Sequence, residues 1–154
     1  MNTDFNAMAE CLFCRIVSGE LPATIVYEDD NSIAFLDHRP LFPGHTLLVP
    51  REHVETLGEL PAEMVGPYFE AAQLLSCGVE SAMEAEGTFV AMNNRVSQSV
   101  PHLHVHVVPR RKKDGLRGPE RRIAMAHRAV AKFNTVRRGD QCLAGVGDRR
   151  SGEQ

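Results

Sequence analysis

The run His102-Leu103-His104-Val105-His106-Val107-Val108 constrains this chain more than any other stretch. Alternate side chains of an extended strand point the same way, so three imidazoles project from one face, successive ones about 6.6 Å apart along the chain. Leu103, Val105 and Val107 project from the other face, where they can pack in a core. The plain alternative is an exposed histidine-rich face, but strict alternation with leucine and valine is hard to obtain that way. The spacing predicts a strand over 102–108, ended by Pro109.

Imidazole titrates near pH 6.5 when unperturbed, so near neutral pH much of it is neutral and keeps a free lone pair. Such a nitrogen can attack phosphorus and form a covalent intermediate. A neighbouring imidazole can donate a hydrogen bond or a proton to the departing atom. No Walker motif is present, which argues against a P-loop nucleotidase.

The rest of the pattern supplies a sheet for that strand. A short helix is expected over 11–18, stopped by Gly19. Residues 25–28 and 32–37 read as the two strands of a hairpin around the turn 29–31, and 46–49 as a third strand before Pro50. Met64, Tyr68, Ala71, Leu75, Val79 and Ala82 recur at helical spacing, which predicts a long helix over 61–86 with Gly87 as its stop and a break allowed near Pro67. A fourth strand follows at 88–92, then a loop over 93–100. The order of elements gives an α+β fold: an antiparallel five-stranded sheet, one long helix and a short N-terminal helix.

With 154 residues, 43% of them hydrophobic and 24% charged, the chain suits one domain of ordinary soluble composition. The start has no basic cluster followed by an apolar run, and no apolar stretch approaches a membrane span, so a cytoplasmic location without membrane contact is expected. The net charge of −3 hides a division. Residues 1–109 hold four basic groups against fifteen acidic ones, whereas 110–154 hold thirteen against five. A basic end can bind nucleic acid, but this one lacks the interleaved aromatics that stack on single strands, and a solvated tail is the favoured reading. Of the four cysteines, Cys77 falls in the helical pattern and reads as a small apolar residue, with no structural disulfide expected. Cys11 and Cys14 form a Cys-x-x-Cys pair, open to a metal-binding, a free-thiol or a redox reading; the βαβ setting of a thioredoxin-like pair is missing.

The stretch QSVPHLHVHVVPR from Gln98 to Arg110 resembles the signature of the histidine triad (HIT) family. The resemblance extends upstream through CLFCRIVSGELP (11–22), YEDD (27–30), IAFLD (33–37) and PGHTLLVPREH (43–53), in the family's order, and covers roughly 11–111. It implies a HIT domain over 1–118, followed by a divergent basic tail over 119–154 in which a poorly patterned helix is allowed.

The resemblance also implies roles. His104 would be the nucleophile that becomes nucleotidylated, and His106 would contact the scissile bridging atom. Ser99 would meet the phosphate together with backbone N–H groups of Ser97, Gln98 and Ser99. Asp37 would accept the ribose hydroxyls, with His38 beside it where relatives carry an aliphatic residue. Asn93 or Asn94 matches an asparagine that contacts ribose or phosphate, with Asn93 preferred. His45 would stand behind the triad, either orienting an imidazole or as a hydrogen-bonded strand residue. Cys11, Cys14, His53 and His102 match a structural zinc set, with no catalytic metal required. A homodimer acting on purine nucleotide conjugates follows, the reaction being phosphoramidate cleavage or dinucleoside polyphosphate hydrolysis. The rivals are a nucleotide-binding or interaction protein with little catalysis and a redox or zinc-storage protein.

Overall fold

The computed structural model describes residues 11–116. Strands β1 (Ile25–Glu28), β2 (Ser32–Leu36), β3 (Thr46–Pro50), β4 (Gly87–Ala91) and β5 (Val105–Arg110) pair antiparallel in the order β1-β2-β3-β5-β4. The hairpin turn is set by Asp29, whose Oδ1 accepts the N–H groups of Asn31 (2.8 Å) and Ser32 (2.7 Å).

Period-two alternation sends each strand's side chains to two different coverings. On one face Ala34, Leu48, Val105 and Val107 meet Tyr68, Ala71, Leu75 and Val79 of the long helix α2 (Ala62–Ala82). On the other face Ile33, Phe35, Leu47 and Val49 meet Cys11, Phe13 and Cys14, carried by the short helix α1 (Leu12–Val17) and its N-cap. The two layers differ greatly in bulk: α1 is six residues long.

Three expectations change. β5 begins at Val105, so His102 and His104 precede the ladder; the Leu103 N–H bonds instead to the Val54 carbonyl (2.7 Å) in the loop after β3. Helix α2 runs unbroken through Pro67, because the bond that proline forfeits, to Glu63, falls where Glu63, Gly66 and Pro67 are all exposed to water. It ends before Gly87: Glu84 takes the left-handed conformation (φ 50°) while the N–H groups of Glu84 and Ala85 bond back to Ser81 and Glu80. Cys77 is half-buried on α2. The helix considered over 119–134 and the tail lie outside the described residues. Among the described residues no helix is long and apolar enough to cross a membrane.

Candidate active site and metal centre

The α1 face of the sheet holds a cavity of about 730 Å³. Leu12, Phe13 and Ile16 of α1 and Phe35 and Leu36 of β2 supply apolar walls, while Asp37, His38, His45, Ser99, His104 and His106 supply the polar lining. The cross-strand pair Leu47–His106 places the His106 ring on this face.

Each ring is assigned a proton by its neighbours. His104 Nδ1 lies 2.7 Å from the His102 carbonyl oxygen, an acceptor, so Nδ1–H donates and Nε2 keeps its lone pair. The His104 ring is almost fully buried, yet it lines the cavity and stands edge-on to His106 at a centroid distance of 4.9 Å. At His45 the Leu41 backbone N–H donates to Nδ1 (3.0 Å), which leaves the ring proton on Nε2. Nε2–H then donates to His106 Nδ1 (3.0 Å), and the proton of a neutral His106 sits on Nε2. Burial pulls the His45 pKa down to about 4, the nearby Asp37 carboxylate opposing it in part, and burial also lowers that of His106. The turn before His45 depends on Gly44 (φ 89°), against which the Met83 side chain packs so closely that a Cβ would lie 2.6 Å from Met83 Cγ.

Asp37 follows β2, with Oδ1 accepting the Arg39 N–H (2.8 Å) and Oδ2 3.4 Å from His45 Nδ1. Asp37, His45 and His106 do bring three donor atoms within 4.8 Å of one another. Because both His45 nitrogens are already engaged, the arrangement is a hydrogen-bonded chain rather than a metal centre. His38 lines the cavity and is largely exposed.

The loop 93–100 is only partly at the cavity. Ser99 and Val100 line it, whereas Asn93, Ser97 and Gln98 do not. Asn93 Nδ2 donates to the Ser97 carbonyl (3.3 Å), and Gln98 takes the Arg95 N–H on Oε1 (2.6 Å) while its amide donates to Glu55 (2.7 Å). Asn94 is committed elsewhere, its Oδ1 accepting the Leu57 N–H (2.7 Å). Arg95 and Ser97 hold left-handed backbone (φ 67° and 60°), so the turn is strained and tied down from within.

Behind the cavity, Cys11, Cys14, His53 and His102 bring one donor atom each to within 4.8 Å of the others. His102 Nε2–H donates to the Pro50 carbonyl (2.9 Å), which frees Nδ1 to face Cys11 Sγ and Cys14 Sγ, both at 3.5 Å. His53 Nδ1 lies 3.1 Å from Cys14 Sγ. A tetrahedral zinc with its usual Zn–S and Zn–N bond lengths has S···N edges of about 3.5 Å. Donor types, tautomer and edges therefore fit that metal. In the metal-free protein, burial and the adjacent Cys11 push the Cys14 thiol up to about 12.

Reading from the sequence missed Phe13, whose ring stands edge-on to His104 (5.2 Å), His102 (5.9 Å) and Phe35 (5.4 Å). Its only signal was its place inside the Cys-x-x-Cys pair. The Leu41 N–H and the Pro50 carbonyl left no signal at all, being backbone groups.

A family model described as the HIT domain matches residues 18–113. An adenosine 5'-monophosphoramidase of Saccharomyces cerevisiae is 35% identical over 111 residues, 70% of this chain and 68% of that one. An adenylylsulfatase of Arabidopsis thaliana is 35% identical over 109 residues, 70% of this chain and 55% of that one. The crystal structure of a zinc-bound histidine triad family protein from Mycobacterium smegmatis superposes with a TM-score of 0.68 at 38% identity, covering 72% of this chain and 82% of the other.

Proposed function

Because this chain belongs to the HIT domain family, we propose that it hydrolyses nucleoside monophosphate conjugates at the α-phosphate through a nucleotidyl intermediate on His104. The observation that carries this reading is the His104 ring itself: Nδ1–H is held by the His102 carbonyl, and Nε2 keeps its lone pair in a ring that lines the cavity. The base fits between Leu12, Phe13, Ile16 and Phe35, and the ribose hydroxyls reach Asp37. Nothing in that apolar wall demands one purine over another.

The chemistry follows from the assigned protons. Nε2 of His104 forms a bond to phosphorus as the bond to the leaving group breaks. The ring then carries positive charge, which its Nδ1–H shares with the His102 carbonyl. Ser99, which lines the cavity, answers charge on the non-bridging oxygens. His106 directs its Nε2–H at the bridging atom, held there by His45 and the Leu41 N–H. Water then displaces His104 and releases the monophosphate. The yeast relative's activity makes a phosphoramidate the first substrate to try, with a dinucleoside polyphosphate as the second class.

Two further parts belong to this reading. Cys11, Cys14, His53 and His102 would hold a structural zinc, which supplies a crosslink between α1 and the first triad histidine and offers no open position for water. A second copy of the chain would pair along β4, an edge strand of the sheet on which Phe89 and Val90 are exposed.

The test compares wild type with His104→Ala on adenosine 5'-phosphoramidate. The expected result is a loss of turnover of at least about 10³-fold. Equal turnover would refute the assignment of the nucleophile.

A further inference from the structure

Helix α1 is a cavity wall that cannot hold itself in place. Its six residues fall far below the roughly 12–15 at which an isolated helix becomes even marginal, and its N-cap residue Cys11 makes no side-chain cap bond. Packing on Ile33, Leu47 and Val49 seats it on the sheet, and two further sets of contacts tie it to the two sites. Cys11 and Cys14 tie it to His53 and His102, and Phe13 ties it to Phe35, His102 and His104. Leu12, Phe13 and Ile16 meanwhile face the cavity.

Phe13 is thus the one side chain of α1 in ring contact with both the metal-side histidine and the nucleophile. The two sites meet a second time in the backbone, because His102 offers its imidazole to the thiols and its carbonyl to His104 Nδ1–H. Without a metal, only thiol–imidazole contacts of 3.1–3.5 Å hold the cluster, and thiols are weak hydrogen-bond partners.

We infer that Phe13 is a positioning residue that couples the Cys11–Cys14–His53–His102 cluster to the cavity, so that metal at the cluster and nucleotide in the cavity each tighten the binding of the other. The inference rests on the functional reading above. Each ligand orders the same short helix, and whichever binds second finds that ordering already done. Linkage requires one factor in both directions.

The experiment measures adenosine 5'-monophosphate affinity by calorimetry on zinc-loaded protein and on protein stripped by a chelator. Zinc affinity is then measured by chelator competition with and without the nucleotide. The expected result is about tenfold tighter nucleotide binding in the zinc-loaded form, inside the usual range of coupling, with the same factor for zinc. In Phe13→Leu both ligands still bind, but the factor falls towards one. Equal nucleotide affinity in the two wild-type forms overturns the inference and leaves the functional reading standing, as does a factor that survives Phe13→Leu. Failure of folded wild type to bind either ligand overturns both. If circular dichroism shows the stripped chain unfolded, hydrogen exchange of residues 12–17 is compared in the zinc-loaded proteins. Exchange slowed by nucleotide in wild type but not in Phe13→Leu supports the coupling, and exchange unchanged in wild type overturns it.

Discussion

Of the histidines on the α1 side of this sheet, four are told apart by the partner of each ring's second nitrogen. A carbonyl oxygen leaves His104 a nucleophilic Nε2; another carbonyl leaves His102 a ligand-ready Nδ1. A backbone N–H does the opposite to His45 and, through it, leaves His106 a donor at Nε2. His45 bears a cost for its place. Its pKa lies near 4 in the folded protein because it is buried, against about 6.5 in an unfolded chain. Between those values the unfolded state binds a proton that the native state refuses, so stability rises with pH there and is lost as pH falls from 6.5 to 4. The full effect of this one group is roughly 3 kcal/mol. Urea unfolding should therefore show a shallower loss of stability over that window in His45→Gln than in wild type. Parallel curves would contradict the assignment of a buried neutral ring.

At the level of elements, the strand carrying the triad is half ladder and half loop. Its bonds to β3 run only from Leu48–Val105 to Thr46–Val107, and the residues before Val105 lean on Val54 and Pro50 instead. That detour brings His102 to the thiols while His106 stays over the cavity. β4 closes one edge of the sheet with two exposed apolar side chains. If a second copy covers that edge, Val90→Lys should shift the chain from dimer to monomer in analytical ultracentrifugation without lowering its melting temperature by more than a degree or two. A wild type that is already monomeric, or a variant that stays dimeric, would contradict the pairing. Alternation and helical spacing made nearly every element legible in the sequence, because burial on one face imposes them. The start of β5 was not legible, since a loop carbonyl at Val54 replaces the ladder without altering the alternation of residues. Nor was the end of α2, where Glu84 adopts a conformation usually left to glycine.

For the molecule as a whole, the sheet is covered by a bulky helix on one face and a minimal one on the other, and the cavity lies on the second. The donor sets named from the sequence, Cys11 with Cys14, His53 and His102, and Asp37 with His45, Ser99, His104 and His106, gather at that face. The family pattern made them legible because side chains carry both sets. Phe13 stayed hidden because a lone aromatic beside a cysteine states no role. Asn93, Ser97 and Gln98 were legible as a loop but not as its internal ties, which depend on left-handed turns at Arg95 and Ser97. All of the proposed chemistry converges on one nitrogen, and mass spectrometric mapping of acid-quenched, then neutralised, protein during turnover of adenosine 5'-phosphoramidate tests it most directly. The account predicts an adenylyl group on the peptide carrying His104, absent in His104→Ala. Steady turnover with no adduct trapped under any quench, or an adduct on His106 or His45, would contradict it.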